Sequence, residues 1–309
     1  MKKNLVMKTI RTLILTLISF SALSQEEVNY KIVMDEPRKV NNFSCNIDLG
    51  HFDIGFSNIE GFSLNAGVWG HAMYKQRMGI DYTFRYGWLT FGKLSIPGAK
   101  NHINIQTGGF FIFKQSDPLT TNKVALKSES GGTTSDGRAI TITTYMLVPS
   151  HKWRYTAARG GIYFNRGCFN VENSVGTDIE GNYFMMGAYA GLCFGSTRQV
   201  LIQTDKYGQK GVVSHMRFCL DALITPINNL PSGVKTMPVG ARFLMQALPT
   251  LERKTRKKKF KWSMAAEVEV GYRMVDGVYV AGTLSIPISR SIKALMTKEE
   301  DQTIKRTTE

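Results

Sequence analysis

The sequence predicts an all-β chain, an antiparallel transmembrane β-barrel of about 12 to 14 strands. Three observations predict it. After about residue 44, segment after segment puts apolar residues on one parity and polar or charged residues on the other. A strand with one apolar and one charged face suits a closed barrel wall in lipid. The segments run about 9 to 13 residues, as a tilted membrane strand does, against about 5 to 6 in soluble sheets. Beyond the N-terminus, no apolar run approaches the ~20 residues of a spanning helix.

In chain order, residues 1–24 read as a secretory signal peptide. Lys2, Lys3, Lys8 and Arg11 form a basic start, Leu13 to Phe20 an apolar core, and Ala22 and Ser24 are small residues spaced for cleavage before Gln25. No Cys follows them directly, so a lipid anchor is not expected. Residues 25–43 form a polar N-terminal lead-in. Residues 44–288 show no linker-like shift in composition and read as one barrel, followed by a polar C-terminal tail at 289–309.

Within the barrel, Asn46 to Ser57 changes phase near Gly50 and His51, the mark of a bulge or tight turn. Phe62 to Tyr74 sets Phe62, Leu64, Ala66 and Val68 against Ser63, Asn65, Trp69 and His71. Met78, Ile80, Tyr82, Phe84, Tyr86 and Trp88 then alternate with Arg77, Asp81, Thr83 and Arg85. Residues 89–96 read as a short strand ended by Pro97-Gly98, and 101–114 as a long one. Residues 116–137, rich in Ser, Gly and Thr, read as a long polar loop. Strands follow at 138–148 and 153–165, then a second loop at 166–182. Clear alternation returns at 183–194, 212–224, 239–247, 261–274 and 278–288, with a short strand at 197–204 and a tight Val275-Asp276-Gly277 turn. Trp88, Trp153, Tyr183 and Trp262 stand near predicted strand ends, where an interfacial girdle would place them.

Counting strands back from a C-terminus on the periplasmic side puts both the 116–137 segment and the basic run at 253–261 on that side. This conflicts with the usual pattern of long loops outside.

The Ala22-Leu23-Ser24 cleavage region, the Gly- and aromatic-rich strands and the stretch Ala281 to Ile288 together resemble outer-membrane barrels of the Bacteroidota type. The last stretch resembles their closing strand. The resemblance implies a location, the outer membrane of a Gram-negative bacterium, rather than an activity. The chain departs from it by continuing past Ile288, and it lacks the Asn-Pro-Ala-type N-terminal motif of the secretion- and gliding-associated barrels.

The polar parity defines the candidate site. It comprises Asn65, His71, Arg77, Asp81, Arg85, His102, Asn104, Lys114, His215, Arg217, Asp221, Arg242, Glu267, Glu269 and Arg273. These side chains are expected to face the lumen, either lining a narrow charged pore or pairing and filling it. Formal charge is +15, and seven cations fall within nine residues: Arg253, Lys254, Arg256, Lys257, Lys258, Lys259 and Lys261. That run, or the tail, would contact lipopolysaccharide, anionic lipid or an acidic periplasmic partner. Nucleic acid is not an expected partner of an exported chain. Cys45, Cys168, Cys193 and Cys219 include no close-spaced pair, so neither metal nor cofactor is expected. Cys193 and Cys219 share the polar parity, which leaves a cross-strand disulfide or two buried thiols open.

The leading expectation is a non-enzymatic envelope protein, either a narrow porin-like pore or a membrane-embedded subunit of an assembly, secretion and motility machinery included. One alternative is a lipid-modifying barrel hydrolase using His71 with Ser63 or His215 with Asp221. Another is a soluble secreted β-sandwich binding protein whose core is the apolar parity.

Overall fold

A computed structural model describes residues 28–38, 43–56, 63–90, 100–172, 178–230, 237–248 and 264–288. The signal peptide, the basic run and the C-terminal tail lie outside these residues, as does most of the short strand expected at 89–96.

The described residues form one antiparallel sheet of twelve strands. They are β1 (Tyr30–Asp35), β2 (Phe43–Gly55), β3 (Ser63–Tyr74), β4 (Met78–Thr90), β5 (Ile103–Ser116), β6 (Leu119–Thr133), β7 (Ala139–Glu172), β8 (Asp178–Thr204), β9 (Gly208–Asn228), β10 (Val239–Leu248), β11 (Ala265–Arg273) and β12 (Gly277–Pro287). Ten of them, in the order β8-β9-β10-β11-β12-β2-β3-β4-β5-β7, close into a ring of hydrogen bonds because β7 also pairs with β8. Closure leaves the ring no free edge.

Beyond the ring rises an arm. The first part of β7 leaves the ring and pairs with β6 alone, while β1 pairs with the last residues of β8. These two layers enclose a small core of Val124, Leu126, Val148, Val200 and Ile202. The registers Asn46 with Pro287 and Tyr30 with Thr204 put the start of β2, the end of β12 and β1 at this arm rim. The β10–β11 connection, which carries the basic run, leaves from the same rim.

Several sequence expectations are corrected. Residues 119–133 are strand, not loop, and 139–172 is one strand rather than two. Strand also occupies most of the loop expected at 166–182, and β1 lies inside the supposed lead-in. The phase change near Gly50 is a bulge, visible as register shifts against both neighbours of β2. The three-residue β3–β4 turn between paired Tyr74 and Met78 is tight because Lys75 and Gln76 take positive φ, 47° and 55°.

Candidate functional site

The ring is inverted relative to a water-soluble fold. Its outer wall carries exposed Ile80, Phe84, Phe111, Ile162, Leu192, Leu220, Ile224, Phe243 and Leu284. Its inside holds five buried arginines, Arg85, Arg159, Arg217, Arg242 and Arg273. Strict alternation dictates this division, because successive side chains of each strand point to opposite faces.

Each arginine is held by carboxylates from other strands. Arg85 on β4 donates through Nε to Asp48 of β2 at 3.0 Å and through Nη2 to Glu267 of β11 at 2.7 Å. Arg217 on β9 grips Asp81 of β4 with both terminal nitrogens, at 2.6 and 2.7 Å. Arg242 on β10 bonds Asp221 of β9 at 2.8 Å and reaches Gln106 of β5 at 2.6 Å. Arg159 lies 3.4 Å from the same Asp221. Arg273 pairs with Asp53 and with Asp276. The Arg217–Asp81 and Arg242–Gln106 contacts join strands on opposite sides of the ring, so they run across the lumen as crossbars. Such charge-assisted, two-pronged bonds fix orientation as well as charge.

Apolar layers cap this ionic middle at both rims. Towards the arm, Met73, Phe110, Ile112, Trp153, Tyr155, Ala157, Cys193, Cys219 and Leu244 pack together. Tyr155 lies over Gly195, where an added Cβ would come within 2.0 Å of the ring, so only glycine fits. Trp69 donates to Ser285 at 2.8 Å beside them. At the far rim Phe169, Tyr183, Met185, Met274 and Val275 form the second layer. Between the layers a void of about 20 Å³ is lined by Asp81, Arg85, Arg159 and Glu267, among others, which is room for about one water.

Of the residues expected in the lumen, Asn65, His71, Arg85, His102, Asn104, His215, Arg217, Asp221, Arg242, Glu267, Glu269 and Arg273 are buried inside the ring. Asp81, with 13% of its side chain exposed, joins them through Arg217. Two are corrected. Arg77 falls in the β3–β4 turn and is exposed. Lys114 is exposed because the register of β5 shifts between Ile112 and Lys114, so the alternation slips by one residue there. The girdle expectation is corrected too. Trp88 is 64% exposed, but Trp153 and Tyr183 are buried inside, and Trp262 lies outside the described residues.

The serine–histidine and histidine–aspartate pairs considered for hydrolysis do not form. Ser63 accepts from Asn65 at 3.0 Å, and Asp221 is taken by Arg242 and Arg159. His71 Nδ1 meets Ser44 Oγ at 2.9 Å and His215 Nδ1 meets Thr197 Oγ1 at 3.0 Å, both buried within the apolar layer. Cys193 and Cys219 are directly opposed thiols with sulfurs 2.7 Å apart, and Arg217 Nε donates to Cys193 at 2.8 Å.

Sequence reasoning missed Asp48, His51, Asp53 and Arg159 as interior residues, while Trp69 is buried on the parity it shares with Asn65 and His71. The bulge in β2 hides the first three by breaking parity. Arg159 shares the inner face of β7 with Trp153, Tyr155 and Ala157, and this mixture blurs the alternation there. Neither a protein-family model nor a curated protein matches the sequence.

Proposed function

We propose that this chain is an outer-membrane protein whose ten-strand ring spans the bilayer as a solute-tight scaffold. In this reading it presents its arm rim to other envelope components. One observation carries the reading: along single strands the apolar parity is buried in the arm and exposed in the ring. In the arm, β7 and β8 turn Val148, Val200 and Ile202 inward, as water requires. In the ring the same strands leave Ile162, Met186, Leu192 and Phe194 outside, as lipid requires. A chain folded in one solvent has no reason to change sign at a rim. The ring strands β2, β3, β4, β5, β10, β11 and β12 have 13, 12, 13, 14, 10, 9 and 11 residues. Those lengths suit tilted spans, and an even strand number suits bacterial barrels.

Since both ends of the ring meet at the arm rim, the usual rule for such barrels makes that rim periplasmic. The arm then lies in the periplasm together with the end of β10, the start of β11 and the end of β12, so the long segments that the sequence put on that side belong to an elaborated inner side. Exposed Tyr145 and Leu147, on the face of the arm opposite buried Val148, give an apolar contact face for a periplasmic partner.

The packed interior favours the scaffold over the pore. Purified protein in planar bilayers is expected to be silent under salt, with no discrete conductance steps. Regular steps that shift ion preference when Glu269 or Arg242 is neutralised would restore the pore. A photocrosslinker at Leu147 is expected to trap an envelope protein in cells, while one at Ser135 on the hairpin tip traps none; no adduct at either position would remove the partner from the reading.

A further inference from the structure

On the outside of β5, β7 and β8, between the apolar wall and the arm, lies a groove of about 330 Å³. Phe194 and Phe218 form its apolar side, and Lys114, Lys152, Arg154 and Ser196 form its polar side. The sheet register arranges them in rows. Lys114, Thr156, Phe194 and Phe218 face one another across four strands. Ser116, Arg154, Ser196 and Met216 make the next row towards the arm, and Lys152 with Arg198 the one after. The bulge that turns Lys114 outward is what brings it to this row.

Cations therefore gather where the apolar wall ends. Arg198 faces Lys152 across the sheet and Arg154 follows two residues on along the same face; burial, then these two cations, hold the Lys152 ammonium below its ordinary pKa. No carboxylate lines the groove among the described residues. The acids of the adjoining chain, Asp35 and Asp117, are engaged by His151 and Arg38. Like charges held together without a counter-charge lower their energy by binding an anion. The apolar aromatic side makes that anion amphiphilic, and long basic side chains reach from apolar surface to a polar head in just this arrangement.

We propose that the groove binds one glycerophospholipid of the periplasmic leaflet. Its phosphate sits between Lys114 and Arg154 with Ser196 as a hydroxyl donor, and an acyl chain runs along Phe194 and Phe218. An arginine fork and hydroxyls suit phosphate oxygens. This site rests on the membrane-spanning reading above.

Native mass spectrometry of the full chain, extracted in mild detergent and titrated with dihexanoyl-phosphatidylglycerol, tests it. The expected result is one tightly held lipid whose occupancy falls at least ten-fold in the Lys114→Ala, Arg154→Ala double variant. Phe218→Ala should weaken it by a smaller factor. Both variants should keep the heat-dependent gel shift of the folded barrel, since all three side chains lie on the outer surface. Inorganic phosphate that binds as tightly as the lipid would overturn the proposal in favour of a free-anion site. Dihexanoylglycerol that binds as tightly would show that the cations are irrelevant and overturn it too. Loss of the membrane reading looks different: the unmodified protein would be recovered in the soluble fraction with no gel shift. Outer-membrane protein with a gel shift and no retained lipid would overturn this site alone.

Discussion

Leu220→Arg is expected to cripple the folded protein in lipid while leaving a comparable change on the arm without effect. Leu220 sits in the middle of the apolar face of β9, 55% exposed, flanked by Leu192 and Phe243. In water, such an exposed leucine would tolerate arginine with a change within roughly 0.5 kcal/mol. In a bilayer, an arginine near the midplane of a barrel wall costs about 2–4 kcal/mol. The control is Thr141→Arg, exposed on the arm, expected to be near neutral. Urea unfolding in phospholipid vesicles, followed by the heat-dependent gel shift, reads both. A neutral Leu220→Arg would mean that water, not lipid, bathes the wall.

The second large effect lies inside. Arg85→Met leaves Asp48 and Glu267 facing each other in the sealed interior without their shared cation. Removing one partner of a buried ion pair costs about 3–5 kcal/mol, because an uncompensated charge stays behind. The triple variant Arg85→Met, Asp48→Asn, Glu267→Gln removes the stranded charges as well. It is expected to recover most of the loss, since buried pairs contribute little net stability compared with neutral side chains that fill the same space. The midpoint of urea unfolding for wild type, single and triple variants decides it. If the single variant unfolds like wild type, water reaches Asp48 and Glu267, and the lumen is open.

Much of the ring was legible because an apolar outer wall and a polar interior impose one rule on its strands. β4 and β11 follow it strictly, and Arg85, Glu267, Glu269 and Arg273 could be placed from parity alone. The rule failed where its premise failed. β7 turns both Ser150 and Trp153 inward, and β8 both Thr197 and Val200, so each changes phase as it crosses the rim between two environments. A reading that assumes one solvent splits such strands in two. β6 was missed because only Asn122, Val124 and Leu126 are buried within its fifteen residues. Past Leu126 the strand is Lys, Ser, Glu, Gly and Thr exposed on both faces, with no alternation to detect. The crossbars, and with them the closure of the lumen, depend on which strands stand opposite in a ten-strand ring. Periodicity within a strand does not carry that information. The groove at Lys114 needed a bulge that no composition signals.

An inside-out ring in an outer membrane is tested by fractionation of the expressing cell, with gel migration of the detergent-extracted protein before and after boiling. Recovery with the outer membrane and faster migration of the unboiled form are expected, because the closed ring resists detergent until heated. Recovery in the soluble periplasm with identical migration in both lanes would contradict it.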